Sequence, residues 1–389
     1  MGVALLLLAL AREGPQRASG TEPMDFVQYY FTGWRLAHGL AVYEPVEIKG
    51  ELARAVGWQN AIGLRMANPP AMVCLTWPMA LVPYPLAWWA LASGSIIALG
   101  IGSWFAARHS GWDRAESSTW AAVAVGSVPS LTFIILNHIE APILLLGVGG
   151  WLALRRGRTM LGASMWGIAA ALKLFPAFWL VALLGRRDRS TAVAGFGTAA
   201  ALSAIGAAVV GWEATTVFVR DVLPQAKLWE SDPANMSVRS FGNDIFGPMG
   251  GIALTLATAV ILLWAIFSGD RSVDRLWCLG LCGSLLLSPL SWSYYFVLVV
   301  PVAALVSARL DLSKTPWRIA FGLGIVTLFF WPPLLGRWLP GSATFHSWGW
   351  PWIVARHMPT FALAALAWTG HRFLRNSPES SPHVVDPPP

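Results

Sequence analysis

A chain of 389 residues that is 56% hydrophobic and only 12% charged is not an ordinary soluble domain, where about a quarter of residues carry charge. Its apolar runs are separated by short arginine-bearing loops, so the formal net charge of +7 bears on orientation in a bilayer rather than on nucleic acid. Cys74, Cys278 and Cys282 have neither metal-ligand nor redox spacing, and they exclude a disulfide framework.

Residues 1–11 are apolar but about half a bilayer span long, and read as a shortened or partly missing first helix. Residues 24–43, MDFVQYYFTGWRLAHGLAVY, follow as an amphipathic helix headed by one acid, Asp25. Phe26, Tyr29, Tyr30, Gly33, Leu36, Ala37 and Leu40 recur at three- and four-residue steps. Such a face would lie along a membrane surface, with Trp34 suited to the interface. Asp25 is then either the N-cap of this helix or an acid kept for chemistry.

The stretch 12–68 reads as a long outer loop, closed by Asn68-Pro-Pro. Residues 70–82 suit a short surface or partly inserted helix, and 84–107 a full span. Further spans are expected at 118–136, 141–154, 159–172, 174–185, 191–210, 249–267, 276–290, 293–308, 317–334 and 351–370. The expected fold is thus an all-α polytopic membrane protein of about 12 transmembrane helices, its long first outer loop carrying amphipathic surface helices. The runs 159–172 and 174–185 are stubby and form a hairpin with Lys173 near its tip. Residues 1–375 make one membrane domain, and the Ser- and Pro-rich tail 376–389 is disordered and cytoplasmic.

Short basic loops mark the cytoplasm. Those around Arg108, Arg155, Arg186, Arg271, Arg309 and Arg372 hold 15 of the 27 Lys and Arg but 8 of the 20 Asp and Glu. The loops 12–68 and 211–248 therefore face the periplasm or exterior of a multi-pass plasma-membrane protein. Gly100-Ile-Gly102 and the glycines at 147, 149 and 150 sit inside apolar helices and are packing glycines, not a nucleotide loop. Any catalysis should sit at the outer face, where an activated donor would have to be membrane-borne because nucleotide-activated donors stay in the cytoplasm.

Asp25-Phe-x-x-Tyr-Tyr followed by His38-Gly39-x-x-x-Tyr43 resembles the first-loop signature of glycosyltransferase family 87. The resemblance continues through Asn68-Pro-Pro with Trp77-Pro-Met-Ala80, and Lys173-Leu-Phe-Pro176 in the short hairpin. It ends with Asn235-Met-Ser237 in the second outer loop, then Ser288-Pro-Leu-Ser-Trp292 with Tyr294-Tyr295. It implies the GT-C membrane fold and a polyprenyl-phosphate sugar as donor; a glycolipid or glycan acceptor is expected, and no cofactor, metal or nucleic-acid partner is expected from the sequence. Two departures stand out: Tyr294 and Tyr295 occupy the place of a His pair common in the family's mannosyltransferases, and Asn137-His138-Ile139-Glu140 replaces a Gly-Gln turn. The sugar, hexosyl or pentosyl, is left open.

An inverting transfer needs a base for the acceptor hydroxyl, and Asp25 is the acid that matches the family. The departing phosphate needs positive charge, from Lys173 first, then Arg220, Lys227 or Arg239. Tyr29, Tyr30, Tyr43, Asn235, Ser237, Trp292, Tyr294, Tyr295, His138 and Glu140 complete the expected substrate-binding set. Blander readings stand beside these: Lys173 snorkelling to the interface, and the aromatic residues as interface anchors. Two rival functions also stand, a transporter or flippase of lipid-linked saccharides and a catalytically inactive relative.

Overall fold

Proline, serine, aspartate and glycine decide where most of the helices start and stop. The computed structural model describes residues 10–11, 14–15, 25–44, 66–230, 232, 234–310, 315–330 and 350–374. Among them the elements are α1 (Asp25–Ala37), α2 (Pro70–Thr76) with a 3₁₀ turn (Trp77–Leu81), α3 (Tyr84–Ser110), α4 (Arg114–Gly126) and α5 (Val128–Leu136). Next come α6 (Glu140–Arg155), α7 (Thr159–Leu172), α8 (Ala177–Leu184), α9 (Arg189–Val210) and α10 (Trp212–Val217). The chain winds on through a π turn and a 3₁₀ stretch to Trp229, then α11 (Val238–Ser268) and α12 (Val273–Leu287). A 3₁₀ turn (Ser293–Val299) leads into α13 (Val300–Ser307), and α14 (Thr315–Phe329) and α15 (Trp350–Phe373) close the series.

The caps follow local chemistry. Asp113 and Glu116 form a reciprocal capping box at the start of α4, while Asp188 and Ser237 accept backbone N–H groups at the starts of α9 and α11. Asn137 ends α5 in the left-handed region at φ 55°, which Asn tolerates better than most residues. Its Nδ2 donates to the Trp88 carbonyl at 2.7 Å, fixing the turn against α3.

The expected count of about 12 membrane-crossing helices is overturned. Three described helices are long and apolar enough to cross: Tyr84–Ser110, Arg189–Val210 and Val238–Ser268. A fourth is added only if α4 and α5, bent by 52° at Ser127, are taken as one span. Helices do form at the remaining apolar runs of the described chain, but α6, α7, α8, α12 and α13 are 8 to 16 residues long. The reason is that hydropathy does not say what an apolar surface is buried against. In α12 the residues Val273 to Leu286 are all buried, and Trp277 stacks on Trp151 of α6 at 4.6 Å. A helix apolar all round fits a protein core as well as a bilayer.

The surface-lying helix is overturned too. Phe26 through Gly33 of α1 are all buried, on every side of the helix, whereas Leu40 of the expected apolar face is 49% exposed. Gly33 explains how α1 comes so close to α2: a Cβ there would lie 2.2 Å from the Thr76 carbonyl oxygen. The stretch 211–248 is mostly helix rather than loop, and α11 breaks at Gly247, whose φ of 73° and ψ of 179° leave the helical region just before Pro248.

Polar side chains gather at two ends. At the arginine-rich end, Arg155 donates to the His109 carbonyl (2.6 Å) and pairs with Asp274 (3.4 Å), which also accepts from Trp151 (2.8 Å) and faces Arg309 (3.9 Å). At the other end of α3, Tyr84 packs on Phe26 and Tyr30 of α1, next to Asp25. The 27 residues of α3 separate the two ends by about 40 Å at 1.5 Å per residue.

Candidate active site

Asp25 is the first residue of α1, and the packing of that helix decides where its carboxylate points. Tyr30 donates to the Val82 carbonyl (2.9 Å), and Tyr43 to that of Asn68 (2.9 Å). Both tyrosines from the expected substrate-binding set are thus tied to the scaffold. Asp25 Oδ1 accepts from Gln28 Nε2 at 3.1 Å, and Oδ2 lies 2.6 Å from His138 Nε2.

His138 comes from the Asn137 turn, 113 residues away in sequence. Burial pushes its pKa below the usual imidazole range, with the charge of Asp25 opposing. The neutral ring must carry its proton on Nε2, because a carboxylate can only accept there. Nδ1 is then an acceptor, and it receives the Tyr29 hydroxyl at 2.9 Å. The result is a directed chain, Tyr29 to His138 to Asp25. Its side chains differ sharply in access: His138 is 6% exposed and Asp25 32%. The acid is the open end.

Tyr294 covers the imidazole, its ring stacked on His138 at 4.3 Å. Tyr295 meets Tyr294 edge-on at 4.9 Å, stacks on Phe175 at 5.1 Å, and faces the Lys173 ammonium at 4.5 Å. Trp292 lies parallel to Tyr294 with centroids 6.3 Å apart, and Trp229 meets it from the outside. The two tyrosines therefore wall the site, and the histidine enters from the α5–α6 turn.

Asn235 and Ser237 were expected to bind substrate, but their polar atoms are spent on the chain. Asn235 Oδ1 accepts from the backbone N–H of Ser237 (3.1 Å) and Ser291 (3.0 Å), and its Nδ2 donates to the Pro289 carbonyl (3.0 Å). Ser237 caps α11 through the N–H of Ser240 (3.1 Å). With Met236 N donating to Ser291 O (2.7 Å), this joins the second long stretch to the Ser-Pro-Leu-Ser-Trp segment.

Lys173 follows α7 in extended backbone and is buried, its ammonium bonded to the fully buried Glu140 carboxylate. The hairpin lysine thus has an acid partner, and Glu140 also lies 3.8 Å from His138 Nδ1. Among the other cations considered, Arg239 pairs with Glu230 at 3.0 Å, and the exposed Arg220 pairs with its neighbour Asp221 at 2.8 Å. Asp25, Tyr29, His138, Glu140, Lys173, Tyr294 and Tyr295 come together; Tyr30, Tyr43, Asn235, Ser237 and Arg239 frame them.

The model of glycosyltransferase family 87 matches residues 67–289, more than half of the chain. The chain belongs to glycosyltransferase family 87. The matched region holds His138, Glu140, Lys173 and Asn235; Asp25 and Tyr294 lie outside it. A polyprenol-phosphate-mannose-dependent alpha-(1-2)-phosphatidylinositol pentamannoside mannosyltransferase of Mycobacterium tuberculosis (strain CDC 1551 / Oshkosh) is 27% identical over 326 residues, 79% of this chain and 73% of the relative. A protein of the same description from Mycolicibacterium smegmatis is 25% identical, covering 79% and 76%. A phosphatidylinositol mannoside mannosyltransferase from that organism is 25% identical over 43% of this chain and 42% of its own. No solved structure matches. As a family 87 member the chain is a multi-span membrane glycosyltransferase.

Sequence reading missed Gln28 and Phe175. Only Gln28 had a signal, since an Asp followed three residues later by Gln is the spacing of reciprocal side-chain contacts at a helix start.

Proposed function

We propose that this family 87 protein moves a hexosyl (mannosyl-like) or pentosyl unit from a polyprenyl-phosphate sugar to a glycolipid or glycan acceptor of the cell envelope. The reaction occurs at the outer face of the plasma membrane. The observation that carries the reading is the part-exposed Asp25 carboxylate, gripped by the buried His138, at the end of the molecule away from the arginine loops. The donor class is supported by the relatives, each described as dependent on polyprenol-phosphate-mannose.

The acceptor hydroxyl gives its proton to Asp25, and its oxygen bonds to the anomeric carbon. The carbon–oxygen bond to phosphate breaks on the opposite face, and polyprenyl phosphate leaves with the electron pair. His138 Nε2–H holds Oδ2 and so aims the carboxylate at the acceptor. Lys173 supplies positive charge to the phosphate. An ammonium has three N–H donors, so its bond to Glu140 leaves donors to share.

Purified protein in liposomes, given a radiolabelled polyprenyl-phosphate mannose and a lipid-linked mannoside, tests the reading. Label in the acceptor is the expected result. Label carried across the bilayer without transfer would make the protein a flippase. Facing is tested with Glu213→Cys in a variant lacking the native cysteines. An impermeant maleimide should label it in intact cells, and labelling only after permeabilisation would overturn the outer-face assignment.

A further inference from the structure

We infer that Arg356 is a positioning residue for Asp25, acting through two chain segments and touching neither donor nor acceptor. The inference rests on the glycosyl-transfer reading above. Arg356 lies on α15, is 6% exposed, and spreads its guanidinium over four partners. Nη1 donates to Asp244 Oδ2 (2.9 Å), while Nη2 reaches the carbonyls of Asp232 (2.6 Å) and Asn235 (3.4 Å) and the Ser240 hydroxyl (3.0 Å). His357 Nε2 shares the same Asp244 oxygen at 2.9 Å, and Thr360 donates to the Met236 carbonyl at 2.7 Å. One face of α15 thus holds the chain from Asp232 to Asp244.

From there the connection to the acid is continuous. Asn235 holds Pro289 and Ser291 through its amide, and the backbone pairs Met236 N with Ser291 O (2.7 Å) and Ser293 N with Ala234 O (3.1 Å). That pairing sets Trp292 and Tyr294, whose ring lies on His138, whose Nε2 holds Asp25. A buried guanidinium is costly, and an apolar pair of similar size would join two helices as well. What arginine adds is a rigid planar fork that fixes several acceptors at set angles, which lysine does not do. Fixed angles matter where a stacked ring must hold a catalytic pair.

The test is a double-mutant cycle on transfer rate, with thermal unfolding recorded alongside. Arg356→Met should lower kcat about 10²-fold, the cost of misplacing a reacting group by ~1 Å. KM for the donor should stay within about twofold, because Arg356 touches neither substrate. In an Asp25→Asn background the same change should have almost no further effect, since the group it positions is already disabled. Arg356→Lys keeps a charge for Asp244 and should give a smaller loss; it carries the cycle if the Met variant does not fold. An equal fractional loss with and without Asp25 would make Arg356 a mere structural anchor and overturn the inference, as would wild-type kcat in either variant. Absence of transfer by the unaltered protein would instead sink the reading beneath it, and this one with it.

Discussion

Asp25 and Asp274 sit in similar company at opposite ends of the molecule, and they are used differently. Each accepts from an aromatic heterocycle, His138 or Trp151, and each has basic side chains nearby. Asp274 is 4% exposed and hemmed in by Arg155 and Arg309, so its charge is consumed in joining α6, α12 and the chain after α13. Asp25 is 32% exposed, and its histidine partner is neutral. A neutral imidazole orients a carboxylate without itself adding a counter-charge. An acid balanced by arginine makes a poor base, because accepting a proton would break the pair.

The sharpest way to break this contrast is Asp25→Asn. Asn caps a helix about as well as Asp, so stability should hold while the transfer rate falls about 10²- to 10⁴-fold. A near wild-type rate would reduce Asp25 to a helix cap. Asp274→Ala should do the reverse, costing about 3 kcal/mol of stability by leaving the buried Trp151 indole N–H and the part-buried Arg155 without their acceptor. The folded remainder should transfer sugar at the normal rate, measured as kcat against unfolding in detergent. Lys173→Met should show the smallest change, weakening donor binding about 10- to 150-fold, the worth of one charge-assisted contact. Undiminished donor affinity would leave Lys173 as no more than the partner of Glu140.

Local chemistry was legible along the chain where it decides local structure. The runs 84–107 and 191–210 lie within Tyr84–Ser110 and Arg189–Val210, since long apolar runs bounded by Pro, Gly or Asp leave few alternatives. The run 249–267 lies within α11, past the Gly247–Pro248 break. Span number was not legible, because α12 and α13 are as apolar as a membrane helix and yet are enclosed by protein. In the site, the importance of Asp25, His138, Glu140 and Lys173 could be suspected one residue at a time. Their pairing could not, because Asp25 and His138 meet only through the packing of α1 and the Asn137 turn. The scaffold bonds of Asn235 were hidden for a similar reason: its amide is the right group for a sugar, and equally the right group for Pro289 and Ser291.

The break in α11 has a mechanical consequence. Ser240 and Asp244, which hold Arg356, lie before Gly247; the apolar length that lipid would surround lies after it. Pro248 has no amide hydrogen with which to continue the helical ladder, and a glycine at φ 73° interrupts the axis. The two halves are therefore not one lever. Past the break the chain doubles back so closely that a Cβ on Gly242 would lie 2.6 Å from the Gly251 Cα, so a side chain at either glycine would prise the two halves apart.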